Sequence, residues 1–196
     1  MSHYFTNDDS PMVTREIRAT IFGRNLVFTT ANGVFSGSRL DLGTSVLLRS
    51  VEAPQCGHLL DLGCGFGPIA VGLAAASPGV TVDAVDVNER ALALTRLNAE
   101  RAGVAGRVRT FSPDDATYDE IWSNPPIRIG KQALHDLLLT WLPRLKPDGA
   151  AYLVVGKNLG ADSLTAWLTS QDWPARKLAS AKGFRVLKVQ RSDSPA

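Results

Sequence analysis

One stretch constrains this chain more than any other: Leu59-Leu60-Asp61-Leu62-Gly63-Cys64-Gly65-Phe66-Gly67-Pro68-Ile69-Ala70. A short apolar run enters a glycine-rich turn, and the turn opens into a small apolar helix. Glycine accepts positive φ and leaves no Cβ between main chain and ligand. The helix start offers unpaired N–H groups and a positive dipole end. Pro68 suits its first turn, where a missing N–H costs nothing. The layout is that of a nucleotide cradle. Further on, Val80-Thr81-Val82-Asp83-Ala84-Val85-Asp86 reads as a second strand ending in an acid. A carboxylate at the tip of the neighbouring strand can accept both ribose hydroxyls.

The spacing admits two ligands. From Gly65 the turn reads Gly-x-Gly-x-x-Ala, which meets the dinucleotide fingerprint. From Asp61 it reads Asp-x-Gly-x-Gly-x-Gly, which resembles motif I of class I S-adenosylmethionine-dependent methyltransferases. An acid just before the glycines repels a pyrophosphate but can hydrogen-bond the ammonium of a methionine moiety. A tight turn with no ligand is the third reading.

Composition narrows the classes. A length of 196 residues suits one domain with a sizeable core, and 44 % hydrophobic with 20 % charged residues is ordinary for a globular chain. A net charge of +2 announces no global field for nucleic acid. Basic residues do gather near the end, at Arg176, Lys177, Lys182, Arg185, Lys188 and Arg191, as a phosphate-contacting face or a solvated edge. Cys56 and Cys64 suggest no disulfide framework, which fits a reducing cytoplasm. His3, His58 and His135 have no ligand spacing, so no metal is expected. The N-terminus lacks a basic start and an apolar run, and no stretch approaches membrane-spanning length.

The chain alternates strands and helices. Residues 1–12 are a polar lead-in, followed by a hairpin around Gly23 to Asn25 and a loop through Asp41 and Gly43. This β unit, about 13–40, is an accessory that covers one end of the site or touches substrate. A short helix is expected from Ser45 to Val51, capped by Thr44 or Ser45, and helices from Ile69 to Ala76 and from Glu89 to Ala102 behind Asn88. The Glu89 helix has an inward face of Ala91, Leu94, Thr95, Leu97 and Asn98. Strands follow at Arg107 to Phe111 and Tyr118 to Ser123, then a helix from Lys131 to Arg144 and a buried strand from Ala150 to Val155. A helix from Leu159 to Ser170 and a closing hairpin, Ala175 to Ala181 with Phe184 to Gln190, complete the pattern, and residues from Arg191 on look frayed. The alternation predicts a doubly wound, mostly parallel α/β sheet. Ligands of such sheets bind at strand carboxyl ends, where the glycine turn, Asp86, Asp114 and Asn124 all fall. Asp114 there is either an acceptor for an adenine amino group or an ordinary exposed turn residue.

Asn124-Pro125-Pro126 is the most specific signal. An exocyclic amine conjugated to a ring or carbonyl is a poor nucleophile. The Asn124 side-chain oxygen and the Pro125 carbonyl can each accept one of its N–H bonds, which favours a pyramidal nitrogen and aims its lone pair at an electrophilic methyl. The prolines fix φ and donate nothing that competes. A neutral thioether leaves, so the reaction calls for neither strong base nor metal.

Together, Asp61-Leu62-Gly63-Cys64-Gly65-Phe66-Gly67 and Asn124-Pro125-Pro126-Ile127 resemble the amino-group class I methyltransferases. Phe35-Ser36, Leu40-Asp41-Leu42-Gly43-Thr44, Arg128-Ile129-Gly130-Lys131 and Gly183-Phe184-Arg185-Val186-Leu187-Lys188 narrow the resemblance to the catalytic domain of the RsmC-like small-subunit ribosomal RNA guanine-N2 methyltransferases. The resemblance implies one methyltransferase domain over 13–191 on a seven-stranded Rossmann-like sheet. It implies S-adenosylmethionine on Asp61, Gly63, Gly65, Gly67 and Asp86; Asp41, whose place just upstream of the cradle means either ligand contact or mere loop chemistry, is a further expected cofactor contact, with Thr44, Cys64, Val87, Asn88 and Asp114. The target amine falls to Asn124, Pro125, Pro126 and Ile127, and ribosomal RNA or the small ribosomal subunit is the implied partner. Adenine N6 and a protein glutamine amide are the alternative acceptors. Two departures matter. Longer members carry a second, degenerate copy of the domain, absent from this sequence, which implies a different selection of RNA. Ile127 stands where an aromatic residue often stacks the target base, an interaction worth ~1–3 kcal/mol. Arg128, Lys131, Arg185 and Lys188 are the expected phosphate contacts; Lys131 and His135 are otherwise expected on a solvated helix face.

Overall fold

The computed structural model describes residues 11–126 and 129–192. Residues 1–10 of the lead-in, Ile127 with its expected stacking role, Arg128 with its expected phosphate contact, and residues 193–196 lie outside the described residues. The chain opens with an antiparallel hairpin, β1 (Thr14–Ile21) and β2 (Arg24–Ala31), followed by α1 (Leu42–Ser50). Then come β3 (Cys56–Leu62), α2 (Pro68–Ala76), β4 (Gly79–Val85), α3 (Glu89–Arg101), β5 (Val108–Arg109) and β6 (Tyr118–Ser123). The second half holds α4 (Lys131–Trp141), β7 (Leu145–Gly156), α5 (Ala161–Ser170), β8 (Ala175–Ala181) and β9 (Phe184–Val189).

β3 to β9 form one seven-stranded sheet in the order β5-β4-β3-β6-β7-β9-β8. β3 to β7 pair in parallel, and β9 runs antiparallel to both β7 and β8. Successive residues of each central strand feed opposite faces. Leu59, Trp122, Val154 and Val186 join a core with Leu47 of α1, Ile69 and Leu73 of α2 and Leu94 of α3. Their neighbours Leu60, Ile121, Leu153 and Leu187 join a second core with Leu134 and Leu138 of α4 and Leu164 and Leu168 of α5. A parallel strand covered on both faces must be apolar on both, which explains the unbroken runs at Leu59-Leu60 and Leu153-Val154-Val155.

The hairpin is laid against the helices. Ile17, Ile21 and Phe28 enter the first core, and Phe28 meets Phe66 edge-on at 5.7 Å. Asn98 of α3, fully buried, fastens the two layers. Its Oδ1 accepts from Thr29 N at 2.7 Å, and its Nδ2 donates to Thr29 O and Phe66 O, each at 2.8 Å. The strands of the hairpin therefore cover helices; the loop that follows them reaches the site.

Several local expectations are corrected. The strand expected from Arg107 to Phe111 shrinks to Val108–Arg109. Among the described residues β4 is the one partner at that sheet edge, and Arg107 Nη1 reaches the carbonyls of Ala74, Ser77 and Val80. α1 starts at Leu42, earlier than expected, because Asp41 caps it by accepting from Thr44 N at 2.9 Å. α4 gives way to a 3₁₀ turn, Leu142–Arg144, where Pro143 supplies no N–H. Leu97 is 45 % exposed, off the buried stripe of Ala91, Leu94, Thr95 and Asn98. His135 is buried, stacked on Trp167 at 3.5 Å between ring centroids, and so is not on a solvated face.

Candidate active site

The sheet order turns back on itself between β3 and β6: the chain leaves β3 for β4 on one side and β6 for β7 on the other. A crevice opens above such a switch point, at the carboxyl ends of the strands. Asp61 pairs in register with Trp122, so the glycine turn and Asn124 emerge side by side. Ser123 Oγ donates to Leu62 O at 2.7 Å and stitches the two strand ends together.

The turn itself is held by backbone bonds. The N–H groups of Gly63 and Cys64 both donate to Val85 O, at 2.9 and 3.0 Å, and Gly67 N donates to Cys64 O at 2.9 Å. Gly63 and Gly65 adopt φ of 77° and 56°, and a Cβ on either projects into open space. A side chain at those two positions would fill the cradle. Gly67 differs: its Cβ would lie 2.9 Å from the Thr95 side chain, so glycine there lets α2 and α3 close. Thr95 Oγ1 also donates to Gly65 O at 3.0 Å. Sequence reasoning placed Thr95 only on an inward face; a polar residue on an apolar stripe was the available signal.

Asp61 sits beneath the turn, fully buried. Its Oδ2 accepts from Ala70 N at 2.9 Å, while its buried Oδ1 has no hydrogen-bond partner among the described residues. Burial pushes its carboxyl up to about 7; the Ala70 N–H opposes this and the nearby Asp86 charge adds to it. An unpartnered buried acceptor is costly. Asp86 follows β4 directly, with Oδ2 accepting from Gly65 N and Oδ1 from Asn88 N, both at 2.9 Å. Burial raises its carboxyl, and the backbone N–H groups of Asn88, Gly65 and Val87 hold that rise back. Asn88 caps α3 by accepting from Arg90 N at 3.0 Å, and its Nδ2 donates to Gly33 O at 2.7 Å, tying the loop after β2 to this rim. Val87, between them, is 70 % exposed. Asp114 lies in an exposed turn beyond β5 and is not brought to the crevice lining.

On the other wall, Asn124 Nδ2 donates to Asp41 Oδ1 at 2.6 Å and to Thr44 Oγ1 at 3.0 Å. Pro125 is buried and Pro126 half-buried behind it. The crevice is lined by Phe35, Ser36, Asp41, Thr44, Gly63, Cys64, Gly65 and Asn124, with Phe66, Pro68 and Ile69 below. The Cys64 thiol is buried there, and burial raises its pKa well above the usual range. The fold thus gathers the glycine turn, Asp41, Thr44 and Asn124 around one cleft and sets Asp86 on its turn. Of the expected phosphate contacts, Arg185 pairs with Asp162, Lys131 is exposed and Lys188 is half-buried.

A second cavity, lined by His58, Thr81, Gly106, Arg107 and Arg109, lies toward the opposite ends of the strands. Buried Asp83 anchors it, accepting from Arg109 Nε at 2.7 Å and Tyr118 OH at 3.0 Å, with His58 Nε2 at 3.0 Å. One ion pair, Arg109 with Asp83, and the hydrogen bonds around it tie the strands together at that end of the sheet. Among the described residues no cluster of three or more His, Cys, Asp or Glu could hold a metal ion, and no helix is long and apolar enough to cross a membrane.

The chain is similar to known proteins in sequence and in fold. Residues 25–188 match the family model of the methyltransferase small domain. The chain is 32 % identical over 197 residues to the uncharacterized protein YbxB of Bacillus subtilis, covering 96 % of this chain and 98 % of that one. It is 34 % identical over 166 residues to the ribosomal RNA small subunit methyltransferase C of Ectopseudomonas mendocina, covering 81 % of this chain and 49 % of that one. The chain therefore spans about half the length of the methyltransferases C it matches. Among solved structures, the Thermus thermophilus 16S rRNA N2 G1207 methyltransferase superposes with a TM-score of 0.75 at 21 % identity, over 92 % of this chain and 51 % of that one. At that identity the likeness establishes the fold.

Proposed function

The chain belongs to the methyltransferase small domain family, and from that premise we propose that it methylates an exocyclic amino nitrogen, guanine N2 of small-subunit ribosomal RNA, using S-adenosylmethionine. The observation that carries the reading is the unpartnered, buried Oδ1 of Asp61 under an open glycine cradle, one strand away from Asn124.

The residues fit such a cofactor. Asp61 supplies an acceptor for its ammonium, Gly63 and Gly65 leave room for its body, and Asp86 has lone pairs left over for ribose hydroxyls. S-adenosylmethionine would supply a sulfonium-bound methyl group: its S–CH3 bond would break as the N–CH3 bond forms, the sulfur would leave as a neutral thioether, and the methylated nitrogen would give up one proton to solvent. The protein's part is positional. Asn124 Oδ1, which accepts from no described residue, and the Pro125 carbonyl receive the two N–H bonds of the amine. Binding by both acceptors weakens conjugation of the nitrogen and fixes its lone pair toward the cradle. The relatives called ribosomal RNA small subunit methyltransferase C, matched over most of this chain, support the RNA substrate. A cytoplasmic site of action follows from that substrate.

Calorimetry with S-adenosylhomocysteine and with NAD tests the cofactor: binding of the first alone is expected. Tritiated methyl transfer to unmodified small ribosomal subunits, with adenine-only RNA and protein fractions as controls, tests the acceptor. Label in guanine N2 supports the reading, and label in a glutamine amide or adenine N6 overturns its substrate. Asn124→Ala is expected to keep S-adenosylhomocysteine affinity and lose at least ~100-fold in kcat.

A further inference from the structure

The geometry points to Asp41 and Thr44 as positioning residues that set the direction of the Asn124 amide. This inference rests on the proposed role of Asn124 and deepens it. Both residues are expected cofactor contacts; in the structure both also accept from Asn124 Nδ2.

A side-chain amide has one accepting and one donating end, and a half-turn about χ2 exchanges them. For Asn124 the exchange is fatal to the proposed chemistry, since an NH2 group facing the cleft donates where the substrate amine needs an acceptor. Asp41 decides the matter. Its Oδ1 lies 2.6 Å from the Asn124 amide terminus, and an ionised carboxylate can only accept. The reversed amide would set two oxygens against each other at that distance. Thr44 Oγ1, 3.0 Å away, takes the other N–H, and Thr44 is buried. Both N–H bonds are thereby engaged, and Oδ1 is left facing the cleft, where it accepts from no described residue.

The anchor is itself held. Asp41 Oδ1 also accepts from Thr44 N at 2.9 Å, the capping bond of α1. Gly43, between them, is buried, and a Cβ there would meet Phe184 at 2.9 Å and Asp41 Oδ1 at 3.0 Å. Leu47 and Leu48 of the same helix lie in the first core. A rigid helix start thus carries the acceptors, and the carboxylate polarises the amide so that its oxygen becomes a better acceptor.

Asp41→Ser separates the two duties of the residue. Serine caps a helix as well as aspartate but is too short to reach Asn124. Its melting temperature and S-adenosylhomocysteine affinity are expected to stay within error and twofold of wild type, while kcat on unmodified small ribosomal subunits falls ~30–100-fold with KM little changed. Asp41→Asn, whose side-chain oxygen can still accept from both partners, is expected to recover most of the rate. In an Asn124→Ala background Asp41→Ser is expected to add no further loss. A readout independent of substrate is the Asn124 side-chain NH2 resonance in ¹⁵N-Asn-labelled protein: protected from exchange in wild type, unprotected in Asp41→Ser. Unchanged kcat in Asp41→Ser, parallel loss of cofactor affinity, multiplicative loss in the double variant, or an unprotected wild-type NH2 each overturns the inference. Should Asp41→Ser not fold, Thr44→Val takes its place in the same measurements. An active Asn124→Ala refutes the proposed function itself; an inactive Asn124→Ala beside an unaffected Asp41→Ser refutes only the positioning.

Discussion

At pH 7 the Asp61 carboxyl, raised to about 7 by burial, is divided between its charged and protonated forms. In the unfolded chain it titrates at its ordinary 3.8. Between those values the folded state binds more protons, so its stability falls as pH rises. The cost is absent below pH 3.8 and complete above about 7, on the order of 4 kcal/mol. Asparagine imitates the protonated form and keeps an acceptor for Ala70 N. Asp61→Asn is therefore expected to raise the melting temperature of the ligand-free protein by several degrees at pH 8 and to leave it unchanged near pH 4. The same change removes the charge that the cofactor ammonium needs, so S-adenosylhomocysteine affinity is expected to drop at least ~10-fold, about 1.4 kcal/mol. In wild type the ligand must displace a proton below pH 7, and its Kd is expected to climb there, up to tenfold per pH unit; Asp61→Asn abolishes that climb. Calorimetry from pH 5.5 to 8.5 measures both.

Two seams between elements decide whether the cradle keeps its shape. Gly67 sits where α2 approaches α3, with φ of 89° and no room for a Cβ beside Thr95. Gly67→Ala combines left-handed strain with a clash and is expected to lower stability by about 2–4 kcal/mol in urea unfolding. Gly63→Ala, strained but facing open space, is expected to cost about 1–2 kcal/mol of stability while weakening S-adenosylhomocysteine more than Gly67→Ala does per unit of lost stability. Asn98 holds the other seam. Asn98→Ala strands the half-buried Thr29 N–H and two carbonyls, and about 1–3 kcal/mol of destabilisation is expected.

For the whole molecule, the hairpin is structural cover as much as extension. Ile17, Ile21, Phe28 and Ala31 are buried against α2 and α3, and the loop beyond them brings Phe35 and Ser36 to the cleft. A chain beginning at residue 32 exposes that apolar helix face. It is expected to lose its cooperative urea transition and to bind a hydrophobic dye, while the intact chain unfolds in one step. The two cores on either side of the sheet share the strands β3, β6, β7 and β9 between them, which is the basis for that single transition.

The sequence by itself determined what depends on neighbours in the chain. The strand–turn–helix at 59–70, the acid at Asp86 after its strand, and the Asn124-Pro125-Pro126 segment at the end of a strand follow from backbone freedom, capping and alternation over a dozen residues. The sheet class follows from the order of elements. What only the tertiary structure decided lies far apart along the chain. Asp41 and Thr44 meet Asn124 across 83 and 80 residues, and Asn98 meets Thr29 across 69. His135, on a stripe read as solvated, found its partner in the ring of Trp167. Periodicity tells which face of an element is apolar. It does not tell which polar group waits opposite, because that depends on strand order and on how helices close over the sheet.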